Sequence, residues 1–177
     1  GKEMGTLLKE RMDDGFGFLK MDVGIGLLKG MEDALIAPPG MLGTNHIMHQ
    51  FTGIQISNKG IDILCEYVAQ VREVIGYEVP LAVDHFGHIG VESCIRLGKA
   101  LDQFSLAWYE DMIPWQFPDQ WKRLADAVDT PVCTGEDIYL KEDFLPLFEN
   151  RAIAATLPRE MRLAIERIGA GDATGSV

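Results

Sequence analysis

Three acidic residues recur at a fixed spacing, each at the end of a short apolar segment. Asp84, Glu110 and Glu136 lie 26 residues apart, from 84 to 110 and from 110 to 136. The segments before them have the composition of buried strands, and residues 90–104 and 117–128 between them have helical spacing. A unit of this length returns the chain to the same end of the neighbouring parallel strand. The spacing therefore predicts consecutive βα units whose three carboxylates lie side by side at one edge.

The rest of the chain continues this alternation. We predict helices over residues 2–14, 59–75 and 140–149, strands over 18–23 and 51–57, an irregular loop over 31–50, and the start of a further strand at 151–153. Parallel βαβ units form either a doubly wound sheet or a (β/α) barrel. Because active sites of barrels lie at the carboxyl ends of the strands, the clustered acids favour the barrel. The predicted fold class is α/β, a partial TIM (β/α) barrel with parallel strands, truncated.

The three carboxylates repel one another and are costly to hold together without a cation. They are hard oxygen ligands, and neither Cys nor His belongs to the set. Such a set suits Mg²⁺, which keeps open positions for substrate oxygens. The alternative is that each acid merely begins a loop or caps a helix. The recurrence at matching positions favours a Mg²⁺ site made of Asp84, Glu110 and Glu136.

Charge and cysteine usage narrow the classes of partner. The 177 residues carry a formal net charge of -11, which disfavours a nucleic-acid surface and anionic membranes. None of Cys65, Cys94 and Cys133 lies in a CxxC pair, which disfavours a disulfide framework or a zinc site. No apolar run approaches the roughly 20 residues that span a bilayer. We expect a cytoplasmic protein with a small-molecule partner, without nucleic acid or membrane.

The strand ends resemble those of a known family. Val83-Asp84, Trp108-Tyr109-Glu110-Asp111 and Thr134-Gly135-Glu136-Asp137 are similar to the metal-binding strand ends of the enolase superfamily, closest to its mandelate racemase and muconate lactonizing branch. There an Asp, a Glu and a Glu end the third, fourth and fifth barrel strands and bind Mg²⁺. The resemblance covers about residues 2–153.

This resemblance implies a reaction class. In the family the metal binds a substrate carboxylate, a base removes the α-proton, and the metal stabilises the resulting enediolate. The expectation is a lyase that dehydrates a sugar acid. Two alternatives stay open: a racemase or epimerase of an α-hydroxy acid, and a truncated inactive remnant that retains only the metal site. The family's later strands carry a His-Asp acid/base dyad, which this sequence lacks, and this favours the remnant.

The resemblance also suggests catalytic residues. Lys20 matches the first lysine of a Lys-x-Lys pair that ends the second strand, and Asp22 stands where the family has its lysine base. Lys20 can orient the substrate carboxylate, or it can be an ordinary salt-bridged lysine. His85 and His88 follow the first metal ligand and can act as acid or base. Some family dehydratases use a His two residues after the metal Asp, a position that Phe86 occupies here.

Several further residues have two interpretations each. Asp111 and Asp137 follow two of the predicted ligands and either orient ligands and water or cap helices. His46 and His49 lie in the 31–50 loop, which either covers the site or carries surface histidines.

The expected organisation has two parts. Residues 1–153 are expected to form a partial (β/α) barrel domain of the enolase-superfamily type, with strands two through five and the start of a sixth. Residues 154–177 lose the resemblance and are expected to form a divergent C-terminal helix and flexible tail. An open half-barrel exposes strand edges, so we expect the chain to form a homo-oligomer.

Overall fold

A computed structural model describes residues 1–43, 53–84 and 89–153, and from residue 58 onward helices and strands alternate as predicted. The helices are α1 (Lys2–Asp13), α2 (Asn58–Ile75), α3 (Val91–Leu101), α4 (Pro118–Ala125) and α5 (Lys141–Glu149). The strands are β1 (Leu19–Asp22), β2 (Leu35–Ile36), β3 (Gln55–Ile56), β4 (Leu81–Asp84), β5 (Tyr109–Glu110) and β6 (Val132–Cys133). Short 3-10 turns lie at Ile25–Leu28, Met41–Gly43 and Asp102–Phe104.

Four of the strands form one parallel sheet in the order β1-β4-β5-β6. Asp22 pairs with Asp84 in register, and Glu110 pairs with Cys133. The carboxyl ends of β1, β4 and β5 therefore meet at one edge of the sheet, which confirms the α/β class and the predicted placement of the strand ends.

The core lies where the helices cover the sheet. All four residues of β4 are buried, as expected for a central parallel strand covered on both faces. Helix α2 begins where the Ser57 side chain accepts a hydrogen bond from the Gly60 N–H (3.0 Å), and its apolar stripe is buried. Helix α1 packs closely on α2 at Gly5, where an added Cβ would lie 2.8 Å from the Val74 Cβ.

Asp102 ties the end of α3 to the segment that leads into β6. Its carboxylate accepts hydrogen bonds from the Tyr109 hydroxyl (2.9 Å) and from the backbone N–H groups of Asp129 and Thr130 (3.0 Å each). Burial would raise the pKa of this carboxyl, but the hydrogen bonds outweigh that effect and hold the pKa below its usual value. Asp102 precedes β5 and Thr130 precedes β6, so this cluster lies at the amino ends of these strands, opposite the ends that carry Asp84 and Glu110.

The irregular loop predicted for residues 31–50 is wrong at Leu35–Ile36. These residues form β2, which pairs antiparallel with β3 in the register Leu35 to Ile56 and Ile36 to Gln55. A strand of two residues has no measurable alternation, and its partner lies about 20 residues away, so the local pattern could not indicate it. The strand predicted over 51–57 is correspondingly shorter, with residues 51 and 52 outside the described ranges.

The strand start predicted at residues 151–153 is also wrong. Arg151 adopts a left-handed conformation (φ 53°) immediately after α5. Its N–H donates to the Phe148 carbonyl (3.0 Å), and the Ala152 N–H donates to the Leu147 carbonyl (2.9 Å). This pair of hydrogen bonds is a Schellman motif, which ends the helix and turns the chain. The domain boundary at residue 153 stays a prediction, since residues 154–177 lie outside the described ranges.

Within the described residues, none of the helices has the length and apolar character needed to cross a bilayer.

Candidate metal centre

The acidic cluster lies at the carboxyl edge of the parallel sheet. Asp84 ends β4 and is 4% exposed, and Glu110 ends β5 and is largely buried. Asp111 follows with a left-handed backbone (φ 48°), and its N–H donates to the Cys133 carbonyl (3.0 Å). Carboxylate oxygens of Asp84, Glu110 and Asp111 lie within 4.8 Å of one another. The structure thus brings together two of the three predicted ligands and adds Asp111 to them.

Glu136 is placed differently from the other two predicted ligands. It is exposed in the loop after β6, and among the described residues the close group does not include it. Its charge nevertheless contributes to raising the pKa of Asp111. Gly135, directly before it, has a φ of 144°, which strongly favours glycine. The role of Glu136 as a metal ligand stays a prediction.

Lys20 enters the cluster from β1. Its Nζ lies 2.8 Å from Asp84 Oδ2 and 3.0 Å from Glu110 Oε1. Burial alone would lower the pKa of Lys20, but the hydrogen bonds to Asp84 and Glu110 and their charges raise it well above its usual value. Lys20 is therefore a fully charged, salt-bridged lysine, and its side chain still has 40% of its surface exposed.

Trp108 orients Glu110 from the other side. The indole Nε1–H donates to Glu110 Oε2 (2.8 Å), while Lys20 occupies Oε1. The Trp108 ring stacks on Phe18, with centroids 4.6 Å apart and planes inclined by 17°. Trp108 is not among the residues predicted from the sequence to act in the site. The available signal was its position two residues before Glu110, because alternate residues of a strand point to the same face.

Opposing effects act on the pKa of Asp111. Burial raises its pKa to about 6, a hydrogen bond donated by the Thr134 hydroxyl (2.6 Å) opposes this, and the charges of Asp84, Glu136 and Glu110 add to the increase. The nearby Cys133 thiol is neutral at ordinary pH, since burial above all raises its pKa to about 12. The cluster therefore offers carboxylate oxygens rather than a thiolate.

Asp22 and Asp137 lie outside the close group of carboxylates. Asp22 is exposed and is the register partner of Asp84, and Asp137 is exposed beside Glu136. All four histidines, His46, His49, His85 and His88, lie outside the described residues, so their predicted roles stay predictions.

The donor set fits a hard divalent cation. Three carboxylates whose oxygens converge within 4.8 Å can share one ion, and oxygen ligands are those that Mg²⁺ prefers. The fold and the site thus define an α/β protein with a cation-compatible acidic cluster at the carboxyl ends of parallel strands. That is where (β/α) barrels carry their active sites.

Comparison with known proteins gives the family. The sequence matches the enolase C-terminal domain-like family over residues 3–165, and the chain belongs to this family. A solved mandelate racemase/muconate lactonizing enzyme-like protein from Rubrobacter xylanophilus DSM 9941 is 29% identical with a TM-score of 0.66, over 84% of this chain and 34% of that one. The four-stranded sheet resembles part of the enolase C-terminal barrel, so the predicted family and fold class are confirmed.

Two curated relatives carry names of sugar-acid dehydratases. L-talarate/galactarate dehydratase of Salmonella typhimurium is 41% identical over 66 residues, which is 37% of this chain and 17% of that protein. D-xylonate dehydratase of Haloferax volcanii is 33% identical over 108 residues, which is 59% of this chain and 26% of that protein. The chain thus spans about a quarter or less of the length of these two relatives.

Proposed function

We propose that this chain carries the metal-binding part of a Mg²⁺-dependent dehydratase that acts on a sugar acid. The observation that carries the proposal is the convergence of Asp84, Glu110 and Asp111 at the carboxyl edge of the sheet. Membership of the enolase C-terminal domain-like family and the names of the curated relatives support the same reaction class.

The acidic residues of the site would bind the cation, and the basic residue would bind the substrate. Asp84, Glu110 and Asp111 would hold the cation, with Glu136 as a further ligand, and Trp108 fixes the Glu110 carboxylate. When bound, Mg²⁺ supplies a Lewis acid for the substrate carboxylate. The Lys20 ammonium, exposed on one side, supplies a second positive charge that can pair with that carboxylate.

The base that removes the substrate proton must lie at the same carboxyl edge of the sheet. Dehydration removes the proton from the carbon beside the carboxylate and expels the hydroxyl of the next carbon as water. Asp22 is our candidate for the base, and its exposure at the end of β1 and its register with Asp84 support this. His85 and His88 follow Asp84 in sequence and are the other candidates for this base, or for the acid that protonates the leaving hydroxyl.

The presence of Asp22 weighs against a lysine-based racemase, since the second lysine of the family's pair is absent. An inactive remnant and an active dehydratase differ in turnover, while both bind the cation. The same experiment therefore separates these alternatives.

The test uses the full chain with Mg²⁺ and a panel of sugar acids, and it measures 2-keto-3-deoxy products. We expect turnover that Glu110→Gln abolishes, because that substitution removes one ligand charge. Lys29→Met, an exposed substitution, serves as the control and should retain turnover. Measurable Mg²⁺ binding without any product would overturn the dehydratase function. The chain would then be an inactive remnant that retains only the metal site.

A further inference from the structure

Lys20 occupies the space between two carboxylates that are also candidate metal ligands. Its Nζ contacts Asp84 Oδ2 at 2.8 Å and Glu110 Oε1 at 3.0 Å. The second oxygen of Glu110 accepts the Trp108 indole N–H at 2.8 Å. Each oxygen of Glu110 is therefore in contact with a donor from the protein itself.

An ammonium group and a divalent cation compete for these oxygens. Carboxylate oxygens approach Mg²⁺ to about 2.0–2.1 Å, and the ion requires nearly octahedral geometry. An Nζ at 2.8 to 3.0 Å from two of the oxygens takes up one lone pair of each and puts a positive charge beside the carboxylates that would hold the ion. Two cations this close also repel each other strongly in a partly buried site.

The same lysine stabilises the site without metal. Asp84 is 4% exposed, and a buried carboxylate is costly unless it is paired with a cation. Asp111 and Glu110 add two further carboxylates within 4.8 Å. Lys20 offsets part of this repulsion, and because 40% of its side-chain surface is exposed, it has room to leave.

We propose that Lys20 is an internal counter-ion of the metal-free cluster, which a divalent cation must displace in order to bind. This inference rests on the proposed function, in that it takes Asp84 and Glu110 to be metal ligands. Displacement frees the ammonium to meet the substrate carboxylate, so metal binds before substrate. The lysine thereby keeps the site folded when metal is scarce and lowers its affinity for metal.

The first test compares Mg²⁺ binding alone in wild type and Lys20→Met, by calorimetry and by melting temperature after chelation. The variant is expected to bind Mg²⁺ about tenfold or more tightly, because a competing charge is gone. It is also expected to melt at a lower temperature without metal and to gain more from Mg²⁺ than wild type does. Lys20→Gln provides a second variant if Lys20→Met does not fold.

Lys29→Met is the matched control, since it removes the same charge from an exposed position. Equal affinity in wild type and Lys20→Met overturns the proposal, as does weaker binding by the variant. An equal gain in Lys29→Met also overturns it, because the effect would then be one of net charge. Absence of Mg²⁺ binding in every variant overturns it as well.

A second measurement observes the displacement itself. The measurement is NMR of the chain with ¹⁵N-labelled lysine, in which the Lys20 ammonium signal is the one that is lost in Lys20→Met. This signal should be protected from hydrogen exchange with water when a chelator is present. It should lose that protection when Mg²⁺ is added. A signal unchanged by saturating Mg²⁺ overturns the proposal. Displacement by Mg²⁺ without any dehydration of sugar acids supports this inference while overturning the proposed function, so the two failures are distinguishable.

Discussion

Glu110 is constrained through both of its carboxylate oxygens. The neutral Trp108 indole donates to one oxygen, and the Lys20 ammonium, which we propose is displaceable, contacts the other. The Trp108 indole is held by stacking on Phe18, so the hydrogen bond to Oε2 has a fixed direction. Lys20 on Oε1 is exposed on one side and can move. At the scale of single residues, these two contacts have opposite expected effects on metal binding.

Trp108→Phe is expected to weaken Mg²⁺ binding by roughly tenfold, because partners that orient a metal ligand typically contribute this much. The measurement is a Mg²⁺ titration by calorimetry or by melting temperature. Trp121→Phe is the matched control: Trp121 is fully buried and its indole donates to the Pro114 carbonyl. That control should lower the melting temperature and leave Mg²⁺ affinity unchanged. Similar affinity losses in both variants would show that the effect is only structural.

At the scale of elements, the helices follow the sequence better than the strands do. Helix α2 has a capping Ser57 and a complete apolar stripe, so both its start and its face were evident. The residues predicted as a strand before Glu110 yield only Tyr109–Glu110 as ladder-forming residues. Strand ends depend on how far a neighbouring strand continues in register, which the local pattern does not contain. Side chains that join elements, such as Asp102, therefore contribute to fixing those positions.

Asp102→Asn is expected to destabilise the chain by about 1 kcal/mol at pH 7. The substitution replaces a charged acceptor of three hydrogen bonds by a neutral one, in a site that is partly exposed. The pKa of Asp102 is below its usual value of 3.8 in the folded chain. The native state therefore binds fewer protons than the unfolded state, and this stability is present above pH 3.8.

The contribution is lost as pH falls through the lowered native pKa of Asp102. Urea unfolding at pH 7 and at successively lower pH, compared between wild type and Asp102→Asn, measures it. The difference in free energy of unfolding should shrink as the pH falls below 3.8. A difference that stays constant with pH would contradict the assignment of the effect to the Asp102 charge.

At the scale of the whole molecule, the sheet formed by the described residues ends at β1 on one side and at β6 on the other. The segment from the end of β6 through α5 carries four exposed apolar side chains, Tyr139, Leu140, Leu145 and Phe148, which are 86%, 61%, 42% and 58% exposed. Unpaired strand edges and exposed apolar side chains favour association with other chains. The homo-oligomer and the cytoplasmic location stay predictions.

The isolated chain is expected to self-associate as its concentration rises, which light scattering measures. The double variant Tyr139→Lys/Leu140→Lys should reduce association, because it adds two charges to the apolar group. Ile36→Lys, which alters an exposed apolar residue of β2 instead, is the control. A monomer at all concentrations with a cooperative melt would refute the prediction.

The sequence by itself determined the helices of the described residues, the strands of the parallel sheet, and the edge at which the acids gather. These follow from helical periodicity, apolar runs and the spacing of 26 residues, all of which are local or repeat along the chain. The resemblance of the strand ends to the enolase superfamily is of the same kind, and the family match confirms it.

Only the tertiary structure decided which charges meet. Lys20 reaches Asp84 across 64 residues of sequence, and Asp111 joins the close group while Glu136 is exposed in its loop. These contacts depend on strand register and on backbone conformations such as the left-handed Asp111, which no periodic pattern contains. The Schellman motif at Arg151 and the pairing of β2 with β3 were missed for the same reason.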